Sequence, residues 1–124
     1  MADGVLEVLL ITSRDTGRFV IPKGWPMKGI SDAKAAAREA FEEAGVEGKI
    51  GKKPVGHYRY NKIFGPGFAL PCIVDVYAMQ FDKALKRWPE KSERKRSWMT
   101  LHEAAQSVHE TELRDIIDHF VPVL

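Results

Sequence analysis

The sequence predicts an α/β fold in which helices cover a mixed β-sheet. Strand patterns lie near the N-terminus, a long helix pattern follows them, and further strand patterns precede two C-terminal helices. Strands and helices in this order pack as layers around one hydrophobic core. The chain has 124 residues, enough for one domain and too few for two of ordinary size. We therefore predict a single domain over residues 1–124.

Two short strands are predicted in the N-terminal part. Residues 5–12 are rich in aliphatic side chains, and residues 19–21 form a second strand that Pro22 ends. Asp3-Gly4 is a common hairpin-turn pair, yet only two residues precede it. Two interpretations stay open: the chain lacks a strand before this turn, or it begins with an ordinary disordered segment.

The clearest helix pattern begins at a cap, Ser31 or Asp32, and runs to about Ala44, where Gly45 favours termination. A loop rich in glycine and proline, residues 23–30, precedes it. Side chains at helical spacing form one predicted apolar face: Ala33, Ala36, Ala37, Ala40, Phe41 and Ala44.

The second half of the chain is predicted to contain strands followed by two helices. The charged segment 82–94 shows no periodicity and is predicted to be a loop. Strand patterns cover residues 48–60, 72–79 and 95–100. Helix patterns cover residues 101–108 and 110–120, with apolar faces formed by Leu101, Ala104, Ala105, Val108, Leu113, Ile116, Ile117 and Phe120.

The composition excludes several functional classes. There are 19 basic and 17 acidic side chains, and the net charge of +2 is too balanced to indicate a nucleic-acid-binding protein. The single cysteine, Cys72, rules out internal disulfides and a cysteine-based zinc cluster. No apolar run is long enough to cross a membrane, and no targeting segment is visible, so we expect a cytoplasmic protein.

Three glutamates, Glu39, Glu42 and Glu43, lie in the second half of the predicted first helix. Glu39 and Glu43 are four residues apart, so they share a helix face and repel each other by about 0.2–0.5 kcal/mol. A divalent cation such as Mg²⁺, which prefers carboxylate oxygens, would offset this repulsion. On the glutamates alone, the alternative is a solvated acidic surface on which Arg38 pairs with Glu42.

These glutamates belong to a longer motif: Gly24, five residues, Ile30, seven residues, then Arg38-Glu-Ala-Phe-Glu-Glu-Ala-Gly-Val46. The motif resembles the signature of the Nudix hydrolases, which it matches at eight positions. The departure is Ile30, where the family usually has a glutamate that often supports the arginine of the motif. The resemblance implies a Nudix-type α/β/α sandwich around a mixed β-sheet.

The resemblance also implies a role for each matched residue. Glu39 and Glu43 would bind Mg²⁺, for which Mn²⁺ can substitute, together with the backbone carbonyl of Gly24. Glu42 would be either a further metal ligand or the general base. Arg38 would hold a helix glutamate in place through an ion pair.

Two further segments resemble the hydrolases of diadenosine polyphosphates and diphosphoinositol polyphosphates. They are Pro22-Lys23-Gly24 and Arg94-Lys-Arg-Ser-Trp98. The resemblance implies that Ser13, Arg14 and Arg94 contact substrate phosphates. Independently, a polyanionic substrate needs cationic donors, and basic side chains lie in predicted turns or near predicted strand ends: Arg14, Arg18, Lys23, Arg59, Lys62, Arg94 and Arg96. For each of them taken singly, the alternative is a solvated surface charge, and the resemblance favours a substrate contact most for Arg14, Lys23 and Arg94.

The sequence thus predicts an Mg²⁺-dependent phosphohydrolase that cleaves a phosphoanhydride bond in a dinucleoside polyphosphate or a diphosphoinositol polyphosphate. Its partner would be this small molecule, with no role for nucleic acid or a membrane, and the oligomeric state stays open. The alternative is a catalytically weak Nudix fold that binds a nucleotide or a protein as a regulatory module. Ile30 favours this alternative, whereas the three intact glutamates argue against it.

Four other residues complete the candidate site. Glu90 and Glu93, which lie just before Arg94, are candidates for an additional metal-binding acid. Trp25 and Trp88 either stack on a base of the substrate or pack locally, and we expect local packing.

Overall fold

The structure, a computed structural model, describes residues 4–122, which form seven strands and three helices. The strands are β1 (Glu7–Thr12), β2 (Phe19–Val20), β3 (Val46–Ile50), β4 (Gly56–Ile63), β5 (Ala69–Val76), β6 (Met79–Ala84) and β7 (Arg96–Thr100). The helices are α1 (Asp32–Glu39), α2 (Leu101–Ser107) and α3 (Thr111–Asp118), and a π-helical turn (Ala40–Ala44) continues α1.

The strands pair in three antiparallel groups. Strand β1 lies between β2 and β7, β3 pairs with β6, and β4 pairs with β5 in a long hairpin. The predicted α/β class is confirmed. Parallel pairing, which a mixed sheet requires, is represented within residues 4–122 by an isolated bridge between Phe19 and Val108.

Strand β1 is covered on both faces. Leu10 belongs to a buried cluster with Tyr58 of β4 and Leu113 of α3, whereas Ile11 belongs to another cluster with Ala44 of the π-helical turn. Successive side chains of a strand point to opposite faces of its sheet. One layer thus lies on the side of α2 and α3, and another on the side of the π-helical turn.

Helix α1 begins and extends as its sequence predicts. The Oγ of Ser31 accepts a hydrogen bond from the backbone N–H of Lys34 at 3.2 Å, which makes Ser31 the cap. Buried Ala33 and Ala44 belong to the predicted apolar face. Phe41 does not follow the prediction, because 37% of it is exposed.

Strand boundaries in the middle of the chain differ from the prediction. The pattern over residues 72–79 spans the end of β5 and the first residue of β6. Residues 77–78 separate the two strands. The predicted loop at 82–94 begins inside β6, which pairs with β3 as far as Ala84. The side chains of residues 82–84 are exposed, so backbone pairing decides this strand without an apolar pattern.

Two sequence expectations concern the ends of the chain and its relation to membranes. The turn predicted at Asp3-Gly4 lies partly outside the described residues. No helix between residues 4 and 122 is long and apolar enough to span a membrane.

Candidate active site

The three glutamates lie where α1 becomes a π-helical turn. Glu39 ends α1, and Glu42 and Glu43 belong to the turn, which Gly45 ends with a φ of 65°. Glycine tolerates this positive φ because it has no Cβ. Single π-helical turns are rare in proteins, and many of those that occur lie at functional sites. The backbone therefore departs from regular helix at the point where the candidate ligands cluster.

Glu43 is a buried acid in contact with a neighbouring glutamate. Its side chain is 6% exposed, and its carboxyl group is hydrogen-bonded to that of Glu39. Burial and this hydrogen bond raise the pKa of Glu43 to about 8, while the positive charge of Arg94 opposes the rise. A hydrogen bond between two carboxyl groups requires a proton on one of them. Without metal, the Glu43 carboxyl group thus holds a proton near neutral pH.

Gly24 lies directly against the carboxyl group of Glu39. A Cβ atom on Gly24 would overlap this group, so a larger residue would have to displace Glu39. The loop before α1 therefore approaches the helix closely because residue 24 has no side chain. In this way the structure brings Gly24, Glu39 and Glu43 together.

The oxygen atoms of this group suit a hard divalent cation. Between residues 4 and 122, no three Asp, Glu, His or Cys side chains lie close enough to hold a metal ion by themselves. Mg²⁺ does not need such a cage, because it is usually held by one or two carboxylates together with waters and substrate phosphates. Glu39 and Glu43 provide two carboxylates, and metal binding would release the proton of Glu43.

We expect Glu43→Gln to stabilise the metal-free protein at alkaline pH. The folded protein binds this proton up to about pH 8, whereas an unfolded glutamate loses it near pH 4.3. The stability that this proton contributes is fully present below the pKa of Glu43 in the unfolded chain. It is lost as the pH rises through the pKa of Glu43 in the folded protein. Thermal unfolding in EDTA should therefore show a Tm at pH 9 about 5 °C or more above that of the wild type.

A control variant separates this effect from a general change in charge. Glu47→Gln removes an exposed carboxylate that pairs with Lys83 at 3.7 Å on β3 and β6. We expect it to leave the pH dependence of the wild-type Tm unchanged. If the Tm of the wild type and that of Glu43→Gln changed with pH in the same way, Glu43 would ionise normally.

Glu42 pairs with Arg38 at the protein surface. The Nε of Arg38 donates to Oε1 of Glu42 at 3.4 Å, and the Arg38 side chain is 63% exposed. Both the solvated-surface alternative and the family resemblance lead to this pair, so its geometry does not separate them. A pair this exposed contributes little to stability.

Arg94 is a nearly buried cation beside Glu43. Its side chain is 10% exposed, and its Nη2 lies 3.6 Å from Oε1 of Glu43. Its Nε donates to Oε1 of Glu90 at 2.9 Å, and its Nη1 donates to the carbonyl oxygen of Thr12 at 3.3 Å. Guanidinium has five N–H donors, so some remain for a phosphate oxygen. Arg94 thus joins the glutamate pair to the turn after β1.

Ser13 and Arg14 form part of that turn. The Nε of Arg14 lies 3.8 Å from Oε1 of Glu90, and its Nη1 lies 3.4 Å from Oε1 of Glu93. Glu90 and Glu93, the candidates for an additional metal-binding acid, therefore lie in ion pairs with arginine. The Oγ of Ser13 accepts a hydrogen bond from the backbone N–H of Asp15 at 3.3 Å and stabilises the turn.

Lys23 approaches the site from the loop before α1. It is half-buried, and its Nζ lies 5.2 Å from the centroid of the Tyr60 ring on β4. Burial lowers the pKa of Lys23, and the nearby charge of Glu43 opposes this shift. Lys23 therefore lies close both to the glutamate pair and to strand β4.

Two residues outside the motif stabilise the turn that carries Glu43. The Nε1 of Trp88 donates to the carbonyl oxygen of Glu43 at 3.3 Å, and the indole ring lies against Gly45. Arg96 stacks on this ring at 4.1 Å, and its Nη1 donates to the carbonyl oxygens of Ala44 and Gly45 at 3.0 Å. Carbonyl groups at a helix end lack intrahelical partners. Arg96, one of the basic residues that could have contacted a substrate or remained a solvated surface charge, instead caps these carbonyl groups.

Three other sequence expectations can be compared with the structure. Local packing is confirmed for Trp88, whereas it is wrong for Trp25, which is 56% exposed in the loop after Gly24. Arg59, another candidate phosphate donor, pairs with Glu112 of α3 at 3.2 Å. Charge and aromatic content alone do not reveal which of these side chains face a neighbouring element.

An α/β fold with a glutamate-bearing helix behind a close-packed glycine loop defines a domain of the Nudix type. The family model described as NUDIX domain matches residues 2–120, and the chain belongs to this family. It is 34% identical to Nudix hydrolase 16, mitochondrial, of Arabidopsis thaliana, over 91% of this chain and 64% of that protein. It is 29% identical to Nudix hydrolase 13, mitochondrial, of the same plant, over 96% and 61%.

A third relative carries a more specific name. The chain is 33% identical to diphosphoinositol polyphosphate phosphohydrolase 3-beta of Bos taurus, over 79% of this chain and 57% of that protein. The chain spans about three fifths of the length of the curated relatives it matches.

Proposed function

We propose that this protein is a divalent-metal-dependent phosphohydrolase that cleaves a phosphoanhydride bond in a dinucleoside polyphosphate or a diphosphoinositol polyphosphate. The observation that carries the proposal is the buried Glu43 carboxyl group, hydrogen-bonded to Glu39 beside Gly24. Membership of the Nudix family and relatives named as hydrolases support the activity. The name of the bovine relative supports the inositol substrate class.

In this proposal some side chains bind the metal and others activate the attacking water. Glu39, Glu43 and the carbonyl of Gly24 would hold Mg²⁺ or Mn²⁺. The bound cation would neutralise charge that develops on the phosphate oxygens. Glu42, held by Arg38, would take a proton from the attacking water or act as a further ligand. Water attacks phosphorus directly, so no covalent enzyme intermediate forms.

The cationic side chains would hold the substrate. Arg94 keeps free guanidinium donors beside Glu43, and Arg14 and Lys23 place further positive charge around it. Charge-assisted hydrogen bonds of this kind are strong and orient phosphate groups. Ser13 would add a hydroxyl donor from the turn after β1. A cytoplasmic location stays a prediction, since several relatives are named as mitochondrial or chloroplastic.

A catalytically weak regulatory module is the second candidate. Ile30 lacks the carboxylate that the family usually has there, and it is 38% exposed in the loop before α1. The pairing of Glu42 with Arg38 at the surface also fits this alternative. Such a module would bind a nucleotide or a protein without hydrolysing a phosphoanhydride bond, so turnover separates the two candidates.

We expect Mg²⁺-dependent phosphate release from at least one member of a polyphosphate panel. The panel contains dinucleoside polyphosphates, diphosphoinositol polyphosphates and nucleoside triphosphates, each assayed with Mg²⁺, with Mn²⁺ and with EDTA. EDTA should abolish release because the carboxylates alone do not neutralise the transition-state charge. Binding without release under every metal condition would favour the regulatory module.

We expect Arg94→Ala to lower kcat/KM. The decrease should correspond to a loss of about 1.5–3 kcal/mol of transition-state stabilisation, the usual range for hydrogen bonds to a charged group. The reason is that Arg94 lies beside Glu43 with donors free for substrate phosphate. Its neighbour Lys95 is exposed, so Lys95→Ala serves as the matched control and should retain wild-type kinetics. Unchanged kinetics for Arg94→Ala on every cleaved substrate would assign Arg94 a structural role.

A further inference from the structure

The π-helical turn that carries Glu43 ends in carbonyl groups that need partners outside the helix. Gly45 donates its backbone N–H to the carbonyl oxygen of Phe41 at 3.0 Å. The carbonyl groups of residues 42–45 follow, and those at a helix end have no partner within the helix. A buried carbonyl group without a partner would destabilise the fold. The source of these partners therefore determines how firmly the turn is held.

One segment, residues 85–96, supplies a donor to each of these four carbonyl groups. Two of the donors are backbone N–H groups. That of Glu90 donates to the carbonyl oxygen of Glu42 at 3.0 Å, and that of Leu85 donates to the carbonyl oxygen of Gly45 at 2.7 Å. The segment thus binds the first and the last carbonyl group of the row through its own backbone.

The two carbonyl groups between them accept side-chain donors from the same segment. The Nε1 of Trp88 donates to the carbonyl oxygen of Glu43 at 3.3 Å, and the Nη1 of Arg96 donates to that of Ala44 at 3.0 Å. Arg96 also stacks on the Trp88 ring at 4.1 Å, and its Nη2 donates to the carbonyl oxygen of Leu85 at 2.8 Å. Trp88 and Arg96 therefore join the segment both to the turn and to itself.

The same segment contacts the carboxyl group of Glu43. The Nη2 of Arg94 lies 3.6 Å from Oε1 of Glu43. Glu43 is therefore held at two points, its backbone carbonyl by Trp88 and its carboxyl group by Arg94. Because both contacts come from residues 85–96, a shift of this segment would move Glu43 relative to Glu39.

We propose that Trp88 and Arg96 are positioning residues for the metal site, because they hold the π-helical turn and thereby fix the Glu43 carboxyl group beside Glu39. The inference rests on the proposed function, in which these two glutamates bind the cation. Mg²⁺ demands nearly ideal octahedral geometry, so the two carboxylates must lie in a narrow range of positions. Replacing a residue that orients a metal ligand typically weakens metal binding by about 10–100-fold.

The first test is the binding of Mn²⁺ to the metal-free protein. It is measured by electron paramagnetic resonance at a temperature where circular dichroism shows every variant folded. Trp88→Phe keeps an aromatic ring beside Gly45 and removes the N–H that bonds to Glu43. Its Kd for Mn²⁺ should increase about tenfold, the lower end of the range for residues that orient a metal ligand. A residue that served stability alone would change the Tm and leave this Kd as it is.

Trp98→Phe is the matched control. Trp98 is 42% exposed, its ring contacts Phe81 of β6, and its indole N–H makes no hydrogen bond within residues 4–122. The same atoms are therefore removed without loss of a bond to the turn, and the Kd for Mn²⁺ should stay within about twofold of the wild type. Equal Mn²⁺ affinities for Trp88→Phe and Trp98→Phe would overturn the proposal.

Arg96→Met separates positioning from charge. Removal of a positive charge close to the glutamates would by itself favour the binding of a cation. Loss of the hydrogen bonds to the turn should instead weaken Mn²⁺ binding by about tenfold. Unchanged or tighter binding by Arg96→Met would exclude a positioning role for Arg96.

A second test needs neither metal nor turnover. Amide hydrogen exchange, measured by NMR in EDTA, reports the hydrogen bonds that Leu85 and Glu90 donate to the turn. Trp88→Phe should accelerate exchange at these two amides by about three- to tenfold, as expected when a cooperative unit loses one hydrogen bond. Trp98→Phe should leave both rates unchanged. Wild-type exchange rates in Trp88→Phe would show that Trp88 does not hold the segment on the turn and would overturn the proposal.

These outcomes differ from a failure of the proposed function. If the wild type binds Mn²⁺ but hydrolyses no member of the panel, weaker binding by Trp88→Phe still supports the positioning role. If the wild type hydrolyses a panel member and Trp88→Phe binds Mn²⁺ normally, the proposed function stands and the positioning role is excluded. A wild type that bound no Mn²⁺ would overturn both.

Discussion

Glu43→Gln is expected to lower kcat/KM for phosphate release by about 10³-fold, since a bound metal contributes several kcal/mol to transition-state stabilisation. Glu43 is buried against Glu39, so glutamine there removes one of the two carboxylates available to the cation. The amide can still donate a hydrogen bond to Glu39, as the protonated carboxyl group does. The fold should therefore be retained while Mg²⁺ affinity falls.

Activity and metal binding are measured on the same preparations to test this expectation. Titration with Mn²⁺, followed by electron paramagnetic resonance, reports binding independently of turnover. Glu47→Gln, which removes an exposed carboxylate on β3, should behave as the wild type in both measurements. If Glu43→Gln kept wild-type activity and Mn²⁺ affinity, Glu43 would have no part in catalysis.

Glu42→Gln is expected to lower kcat by about 10²–10⁴-fold if Glu42 is the general base. Its carboxylate is half-buried and is held by Arg38 at 3.4 Å, apart from the hydrogen-bonded pair of Glu39 and Glu43. The substitution therefore leaves both carboxylates of that pair in place. If Glu42 is the base, Glu42→Gln should bind Mg²⁺ normally, and its kcat should remain low at saturating Mg²⁺.

The same measurements distinguish a ligand from a base. If Glu42 mainly binds metal, Glu42→Gln should need more Mg²⁺, and excess Mg²⁺ should recover part of the rate. Arg38→Gln is a useful companion, because it releases Glu42 without removing its carboxylate and should cost less than Glu42→Gln. Wild-type kcat at saturating substrate for Glu42→Gln would exclude both roles and direct the search for the base to Glu39, Glu90 and Glu93.

The local sequence determines the helix that carries the candidate ligands. Ser31 caps its first turn, and Gly45 ends the π-helical turn with a positive φ. The spacing of the glutamates, together with Gly24 and Arg38, identifies the Nudix motif. These features depend on hydrogen bonds and conformational preferences within a short segment, which is why they can be read without the fold.

Strand boundaries depend less on local pattern. The charged residues at the end of β6 show no apolar alternation, yet they pair with β3 because the partner strand is close in space. Propensity for a strand reflects its neighbours more than its own residues. The sequence therefore predicts the class of fold correctly but places the break between β5 and β6 inside one strand.

Only the tertiary structure decides the chemical state of the site. Burial and the contact with Glu39 raise the pKa of Glu43, and these features arise from packing rather than from the spacing of charges. The fold also pairs Arg94 with acids, commits Arg96 to capping carbonyl groups and leaves Lys62 without an ion-pair partner within residues 4–122. The sequence by itself determined which ionisable groups the site contains. Their partners and protonation come from segments far apart in the chain, because burial and Coulomb interactions depend on distance in space.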